Sequence, residues 1–351
     1  MPKPMPLPLP THWPASGPPN RRHALQALAV GAAWPLAACS LQGDPLPRLS
    51  AGRIERLSAL ASRHVDARHV DVWLPEGYDG RTRHPVLYMH DGQAVFDGAS
   101  SMAKVGWRMD RSASTWAVQH RSPAPMVVAV WNHPTQRHLE YFPQPMLDRL
   151  PRAARERIWE KLPLTMRPFA GELVKEGRSR SEAYLKFLAE ELKPLVDARF
   201  ATRPGRDDTL VMGSSMGGLI SVHALLSYPQ VFGAAASLST HWIGLLERND
   251  DISDAALAWL RDALPRPADT LRLYLDRGTL DTDAQYAHAQ GQVDALLRER
   301  GLAPPQVVSR VFEGAGHNER DWAARVHVPL EFLLRHTRNL GSVTPSRTAV
   351  T

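Results

Sequence analysis

The chain has 351 residues, 43% hydrophobic and 22% charged, proportions that allow a sizeable core and exclude wholesale disorder. Its net charge is +6, but Lys3, Arg21 and Arg22 supply half of that before residue 39. The later arginines are interleaved with acids, so there is no basic stripe and no nucleic-acid motif. The single cysteine, Cys39, excludes an internal disulfide framework and any cysteine-rich zinc site.

Residues 1–38 read as an export signal. Arg21-Arg22 precede an apolar run that starts at Ala24 and ends in Leu36-Ala37-Ala38-Cys39. The paired arginines resemble the twin-arginine export class. The terminal box resembles a lipoprotein signal, in which Cys39 becomes the lipidated first residue. The expectation is an exported protein of a bacterial cell envelope, periplasmic or membrane-anchored through that lipid. Residues 39–50 read as a linker and 339–351 as a flexible polar tail. Beyond position 45 no uncharged apolar stretch reaches the roughly 18 residues needed to cross a bilayer.

Between these ends, over 51–338, strand and helix signals alternate. Short apolar runs bounded by turn residues read as strands at Val70–Leu74, Pro85–Met89, Met126–Trp131, Thr209–Met212, Phe232–Leu238, Leu271–Leu275 and Val307–Phe312. Helical periodicity marks Ser181–Lys193, which Pro194 kinks or ends, and then Gly217–Tyr228, Asp283–Arg300 and Trp322–Leu334, the last interrupted by Pro329. Alternation of this kind predicts one doubly wound α/β domain with a mostly parallel sheet and helices on both faces. The charged segment 143–180 breaks the alternation and reads as an insertion.

Gly213-Ser214-Ser215-Met216-Gly217 lies between an apolar strand and an apolar helix. That context fits a strand–turn–helix elbow that lifts the Ser215 hydroxyl above the sheet, as in the α/β-hydrolase fold. A serine nucleophile needs a base. His317 sits in a glycine-flanked loop directly after the last strand, with His90 and His241 in reserve, while His223 falls inside the helix after the elbow. The acid is expected between serine and histidine in chain order. Asp281 is the choice, Asp276 the reserve, and Asp283 reads as a cap of the helix that follows. The oxyanion would be held by the backbone N–H groups of Met216 and Gln93, with Gly92 giving room. No metal-ligand spacing and no nucleotide-binding glycine motif is present, so no cofactor is expected.

Several blocks in order resemble the esterase family related to esterase D, which includes ferric-enterobactin esterases, feruloyl esterases, S-formylglutathione hydrolases and mycolyl transferases. They are Val70-Asp71-Val72-Trp73-Leu74-Pro75, Val86 to Gln93 with Phe96-Asp97, Arg137 with Glu140-Tyr141, Gly213 to Gly218, Ser239 with Trp242, the Asp276-to-Asp281 loop, and His317-Asn318-Glu319 with Trp322 and Arg325. The resemblance implies the triad Ser215, Asp281 and His317, with Asp281 in a Gly-Thr-x-Asp turn. It makes His90, Asp91, Arg137, Tyr141 and Trp242 candidate substrate contacts. The implied activity is hydrolysis of a small-molecule carboxylic ester, phenolic, siderophore or carbohydrate-linked, through an acyl-enzyme. Acyl transfer by the same triad and a non-catalytic binding role are the alternatives.

Overall fold

The computed structural model describes residues 44–335, apart from 102, 165–166, 245–247 and 266–270. Cys39, the segment 1–38 expected to be an export signal and the segment 339–351 expected to be a tail lie outside the described residues. Eight strands form one sheet in the order β1-β2-β4-β3-β5-β6-β7-β8. They are β1 (Arg53–Leu60), β2 (Arg68–Leu74), β3 (Val86–Met89), β4 (Met126–Val130), β5 (Thr209–Ser214), β6 (Ala234–Leu238), β7 (Leu273–Gly278) and β8 (Val307–Phe312). Strand β2 pairs antiparallel with both β1 and β4, and every pairing from β4 onward is parallel. This is the mostly parallel α/β-hydrolase arrangement expected from the alternating pattern.

Strands β2 to β6 are buried along their whole length. That explains why β3 and β4 read as unbroken apolar runs: neighbouring side chains point to opposite faces, and both faces are covered. Val86 and Tyr88 join one apolar cluster and Leu87 and Met89 the other. The first face is covered by α6 (Ser181–Lys186), α8 (Met216–Ser227), α9 (Asp250–Ala263) and α10 (Ala287–Glu299), among others. On the second lie α1 (Met109–His120) and α12 (His327–Leu334), preceded by α11 (Glu319–Arg325). Helix α8 is buried from Met216 to Leu225, which accounts for its nearly all-apolar circumference.

Four local expectations change. Strand β1 carries charged residues on a half-exposed edge, and α1 and α9 are mixed in polarity; none of the three stood out as apolar periodicity. The chain runs helically through Pro194, because a π-helical stretch, Phe187–Leu192, precedes the proline and absorbs the missing N–H. Between α11 and α12 the break falls at Val326, and Pro329 fits within the first turn of α12, where its lost donor is already an orphan. The long helix expected from Asp283 starts only at Ala287, after a 3-10 turn, Asp281–Tyr286.

The segment 143–180 is a packed helical layer. Leu147, Leu150, Ala154, Ile158, Leu162 and Leu173 enter the larger apolar cluster. Arg149 and Arg157 tie it to α9 through Asp262 at 2.6 Å and Asp251 at 2.8 Å.

Candidate active site

The C-terminal edge of the sheet gathers the chemistry, as expected for open α/β sheets. Ser215 follows the last residue of β5 and precedes α8, at φ 56° and ψ −124°, a conformation that L-residues avoid. Its backbone is pinned there: its N–H donates to Leu238 C=O at 2.9 Å, and its C=O accepts from Leu219 N–H at 3.0 Å. The flanking glycines are sterically required. A Cβ on Gly213 would stand 2.5 Å from the Gly217 backbone, and one on Gly218 would stand 2.2 Å from Ser237 Oγ. A strained, partly exposed serine at a helix N-terminus is what a nucleophile elbow needs.

Loops after β7 and β8 are stitched together by Thr279 and Leu280 N–H donating to Ala315 C=O at 2.9 and 3.0 Å. This places His317 over the β7 loop. Its Nδ1 meets a carboxylate at 2.6 Å, and that carboxylate belongs to Asp283. Asp281, the acid expected from sequence, is exposed at φ 52°, with its carboxylate against the Gly316 backbone. Asp276, the reserve, is fully buried and bonds instead to Tyr274 Oη at 3.1 Å and to Arg325 at 3.2 Å. The 3-10 turn explains the correction. Asp283 is not a helix cap; the tight turn swings it beneath the sheet edge, two residues past the exposed Asp281.

Asp283 is fully buried and its second oxygen is also satisfied. Oδ2 accepts from Ser239 Oγ and from Gly278 N–H, both at 2.6 Å. Burial alone would raise its pKa, but the bonds from His317, Ser239 and Gly278 outweigh it and hold the carboxyl below its ordinary value. Ser239 is itself fixed by Trp322 Nε1 and Arg325 Nη2, each at 2.9 Å. The Trp322 ring stands edge-on to the His317 imidazole, centroids 4.9 Å apart. The acid and the histidine are thus oriented by groups from β6, β7 and α11.

Residues 62–331 match the model of the Esterase family, described as "Putative esterase". The chain belongs to this family. It is a carboxylic ester hydrolase, in keeping with its fold neighbours. A solved ferulic acid esterase superposes with a TM-score of 0.55 at 17% identity, over 81% of this chain and 99% of that one. The enterobactin esterase FES from Shigella flexneri, solved in the presence of enterobactin, gives 0.57 at 19% identity, over 83% of this chain and 60% of that one. Among curated proteins, the siderophore triacetylfusarinine C esterase of Aspergillus fumigatus is 29% identical over 168 residues, 47% of this chain and 48% of that one. The chain spans about half the length of that fungal relative.

In this esterase the remaining predicted residues divide by exposure. Asp91 and Arg137 form a bidentate pair, with both contacts at 2.7 Å and both side chains about one-fifth exposed, at the rim beside the elbow. The Arg137 cation and the Asn132 amide outweigh burial and hold Asp91 below the ordinary carboxylate range. His90, Tyr141 and Trp242, expected as substrate contacts, are closed off from solvent. His90 Nδ1 bonds Tyr184 Oη at 2.8 Å, the Tyr141 hydroxyl accepts from Asp91 N–H at 3.4 Å, and Trp242 Nε1 donates to Gln290 at 2.8 Å. These three support the walls: each is buried and bonded to a neighbouring element, while His90 Nε2 is buried without a partner. Burial pushes His90 down to about 4, so the imidazole is neutral. His223 points away from the site, bonding Glu182 at 3.0 Å, as its helical position implied.

Gly92, Gln93 and Ala94 form a 3-10 turn after β3, entered through Asp91 at φ 57°. Gly92 has no room for a side chain, since a Cβ would stand 2.7 Å from Ala129 C=O. The turn's internal bonds use the N–H groups of Ala94 and Val95, and Gln93 N–H lies one residue before them. The Gln93 side chain clamps the turn to Asn132 through its amide at 3.1 Å and its carbonyl at 3.2 Å. Sequence reasoning passed over Tyr286, which lies in no recognisable motif, and named Ser239 only as part of a block of the resemblance, without a role; its part in fixing Asp283 becomes visible only through its contacts.

Proposed function

We propose that this esterase works through an acyl-enzyme formed on Ser215, with His317 as the base and Asp283 as the acid that orients it. Ser215 Oγ attacks the ester carbonyl while His317 Nε2 takes its proton and returns it to the leaving alcohol. Asp283 fixes the Nδ1–H tautomer and offsets the imidazolium charge. The N–H groups of Met216 and Gln93 receive the oxyanion. The observation that carries this reading is the 2.6 Å bond between His317 and a buried, fully satisfied carboxylate beside a strained serine elbow. The relatives' names and the partly exposed Asp91–Arg137 rim favour a siderophore or phenolic ester as substrate. The leader and Cys39 favour an exported, lipid-anchored enzyme.

The test is hydrolysis of p-nitrophenyl acetate by the chain from Cys39 onward, with Cys39 replaced by Ser, beside its Ser215→Ala variant. Removal of Ser215 should lower the rate at least about a thousandfold and abolish fluorophosphonate labelling. Activity that survives the change would sink the reading. For the anchor, mass spectrometry of membrane-derived protein should find lipid on Cys39 as the first residue; an intact Met1 would exclude it.

A further inference from the structure

The helical layer 143–180 holds a cleft of about 560 Å³, within the usual range for small-molecule sites. None of its lining residues belongs to the active site described above. One wall is α4 (Arg152–Lys161) and the other is the π-helical turn Glu172–Glu176. Such turns are frequent at functional sites. Most acids around the cleft are already taken. Glu156 pairs with Arg152 at 2.8 Å, Glu172 with Arg180 at 3.1 Å, and Glu176 with Arg178. Two lining cations are left without a carboxylate, Arg155 on α4 and Lys175 on the π-turn. Among the described residues the half-buried Arg155 guanidinium has no hydrogen-bond or ion-pair partner, and its Nε is buried. The backbone is cut away beside it, since a Cβ on Gly177 would collide with Arg155 Nη1. Lys175 Nζ rests 4.2 Å from the centroid of the Trp159 ring, a cation–π contact that uses none of its N–H groups. Half-buried Trp159 and buried Val174 supply the apolar part of the lining. Glu160, also lining and exposed, is the one acid there without an ion-pair partner among the described residues. Three cations, Arg152, Arg155 and Lys175, against two acids, Glu156 and Glu160, leave the lining one charge positive.

We propose that this cleft is a binding site for a small organic carboxylate, its charged end held by Arg155 and Lys175 and its apolar body lying against Trp159 and Val174. The planar fork of Arg155 matches a carboxylate, and no acceptor in the protein competes for it. The ammonium of Lys175 adds a point charge from the facing wall. Both walls stand before the ligand arrives. The π-turn is fastened by Glu172 to Arg180, whose N–H donates to Leu139 C=O at 2.7 Å. A preformed cleft of this kind loses little to ordering on binding. The acid set free by ester hydrolysis belongs to the same chemical class, so the enzyme meets such a ligand at every turnover. The site does not depend on the acyl-enzyme reading above.

The experiment is isothermal titration calorimetry of the full chain with benzoate, beside acetate and inorganic phosphate, at low salt. Arg155→Met and Lys175→Met should each weaken benzoate about 10-fold or more, the usual size of a charge-assisted bond. Both should hydrolyse p-nitrophenyl acetate at the wild-type rate, which shows that they fold. Lys175 is exposed, so Lys175→Met decides the matter if Arg155→Met does not fold. Glu160→Gln, which removes a like charge, should tighten benzoate about twofold. Arg137→Met, at the catalytic rim, should leave the Kd within about twofold. Acetate, with no ring to lay against Trp159, should bind about 10-fold more weakly than benzoate. No saturable binding of benzoate below about 10 mM would overturn the proposal. So would binding lost in Arg137→Met and kept in Arg155→Met, which would put the ligand at the catalytic rim. Phosphate binding as tightly as benzoate would overturn it too, by showing a patch for bare anions.

Discussion

His317 Nδ1 binds Asp283 Oδ1 at 2.6 Å, while Asp281, two residues earlier, lies exposed against Gly316. The two acids can be told apart by experiment. Asp283→Asn would present an amide to His317, favour the wrong tautomer and leave an orphaned donor among Ser239 and Gly278. Its kcat for p-nitrophenyl acetate should fall about 10³- to 10⁴-fold. Asp281→Asn should change kcat less than about threefold, as befits a surface substitution. The reverse ranking would return the role to Asp281.

The difference shows what this sequence makes legible. Ser215 stands out because its surroundings are dictated by the backbone: glycines where no Cβ fits, between a buried apolar strand and a buried helix. The loop of His317 stands out by its flanking glycines directly after the last strand. Choosing among Asp276, Asp281 and Asp283 is another matter. Asp276 ends up on β7 and the other two in the turn just after it, and the outcome depends on whether the chain takes a 3-10 turn or enters an α-helix at 283, a small difference in backbone angles with no residue signature. Asp before a helical run also suits a cap, which drew the wrong reading. Strand β1 and helices α1 and α9 were hidden because half-exposed elements mix charge into their apolar pattern. The candidate contacts His90, Tyr141 and Trp242 are polar-tipped residues whose burial no sequence pattern announces.

Gly278 stands where the acid loop and the histidine loop meet. A Cβ there would approach Ala315 C=O to 2.1 Å and Asp283 Oδ2 to 2.9 Å. Gly278→Ala must therefore push the two loops apart, and displacements near 1 Å in a catalytic constellation cost about 100-fold in rate. We expect a loss of kcat of that order, with far-ultraviolet circular dichroism unchanged at 25 °C. Full activity would mean that the loops are not held at the spacing seen here.

Buried His90 makes a prediction about pH. Its pKa in the folded state, about 4, lies below the ordinary 6.5, because burial disfavours the imidazolium. Between these values the unfolded chain binds a proton that the folded chain does not. Stability from this group is therefore full above about pH 6.5 and is lost as pH falls toward 4, by up to about 1.4 kcal/mol per unit. Asp276, pushed up by burial to about 6 against the opposing Arg325 cation, has the opposite sign: its contribution falls as pH rises from about 4 to 6. The two partly cancel in wild type, so the informative quantity is a difference. Urea midpoints of His90→Gln and wild type, measured from pH 4 to 7, should converge as pH falls. Parallel curves would show that His90 does not stay neutral.

Arg68 and Glu140 form a pair that is 2% and 1% exposed, bidentate at 2.6 and 2.8 Å. It fastens the short helix α2 (Arg137–Tyr141) to β2, and so sets the position of Arg137 at the rim. Removing one partner leaves a buried charge without compensation. Arg68→Met alone should destabilise by about 3–5 kcal/mol, whereas Arg68→Met combined with Glu140→Leu should recover most of that loss, since apolar replacements avoid the desolvation cost. Activity should separate from stability. Even where the double variant folds as firmly as wild type, α2 loses the directional bonds that orient it, so Arg137 and its partner Asp91 shift at the rim. KM for an acidic or phenolic ester should then rise, while kcat for p-nitrophenyl acetate, which needs only the elbow and His317, stays near wild type. Equal effects on both substrates would show that the ion pair supports the whole site and not the rim alone.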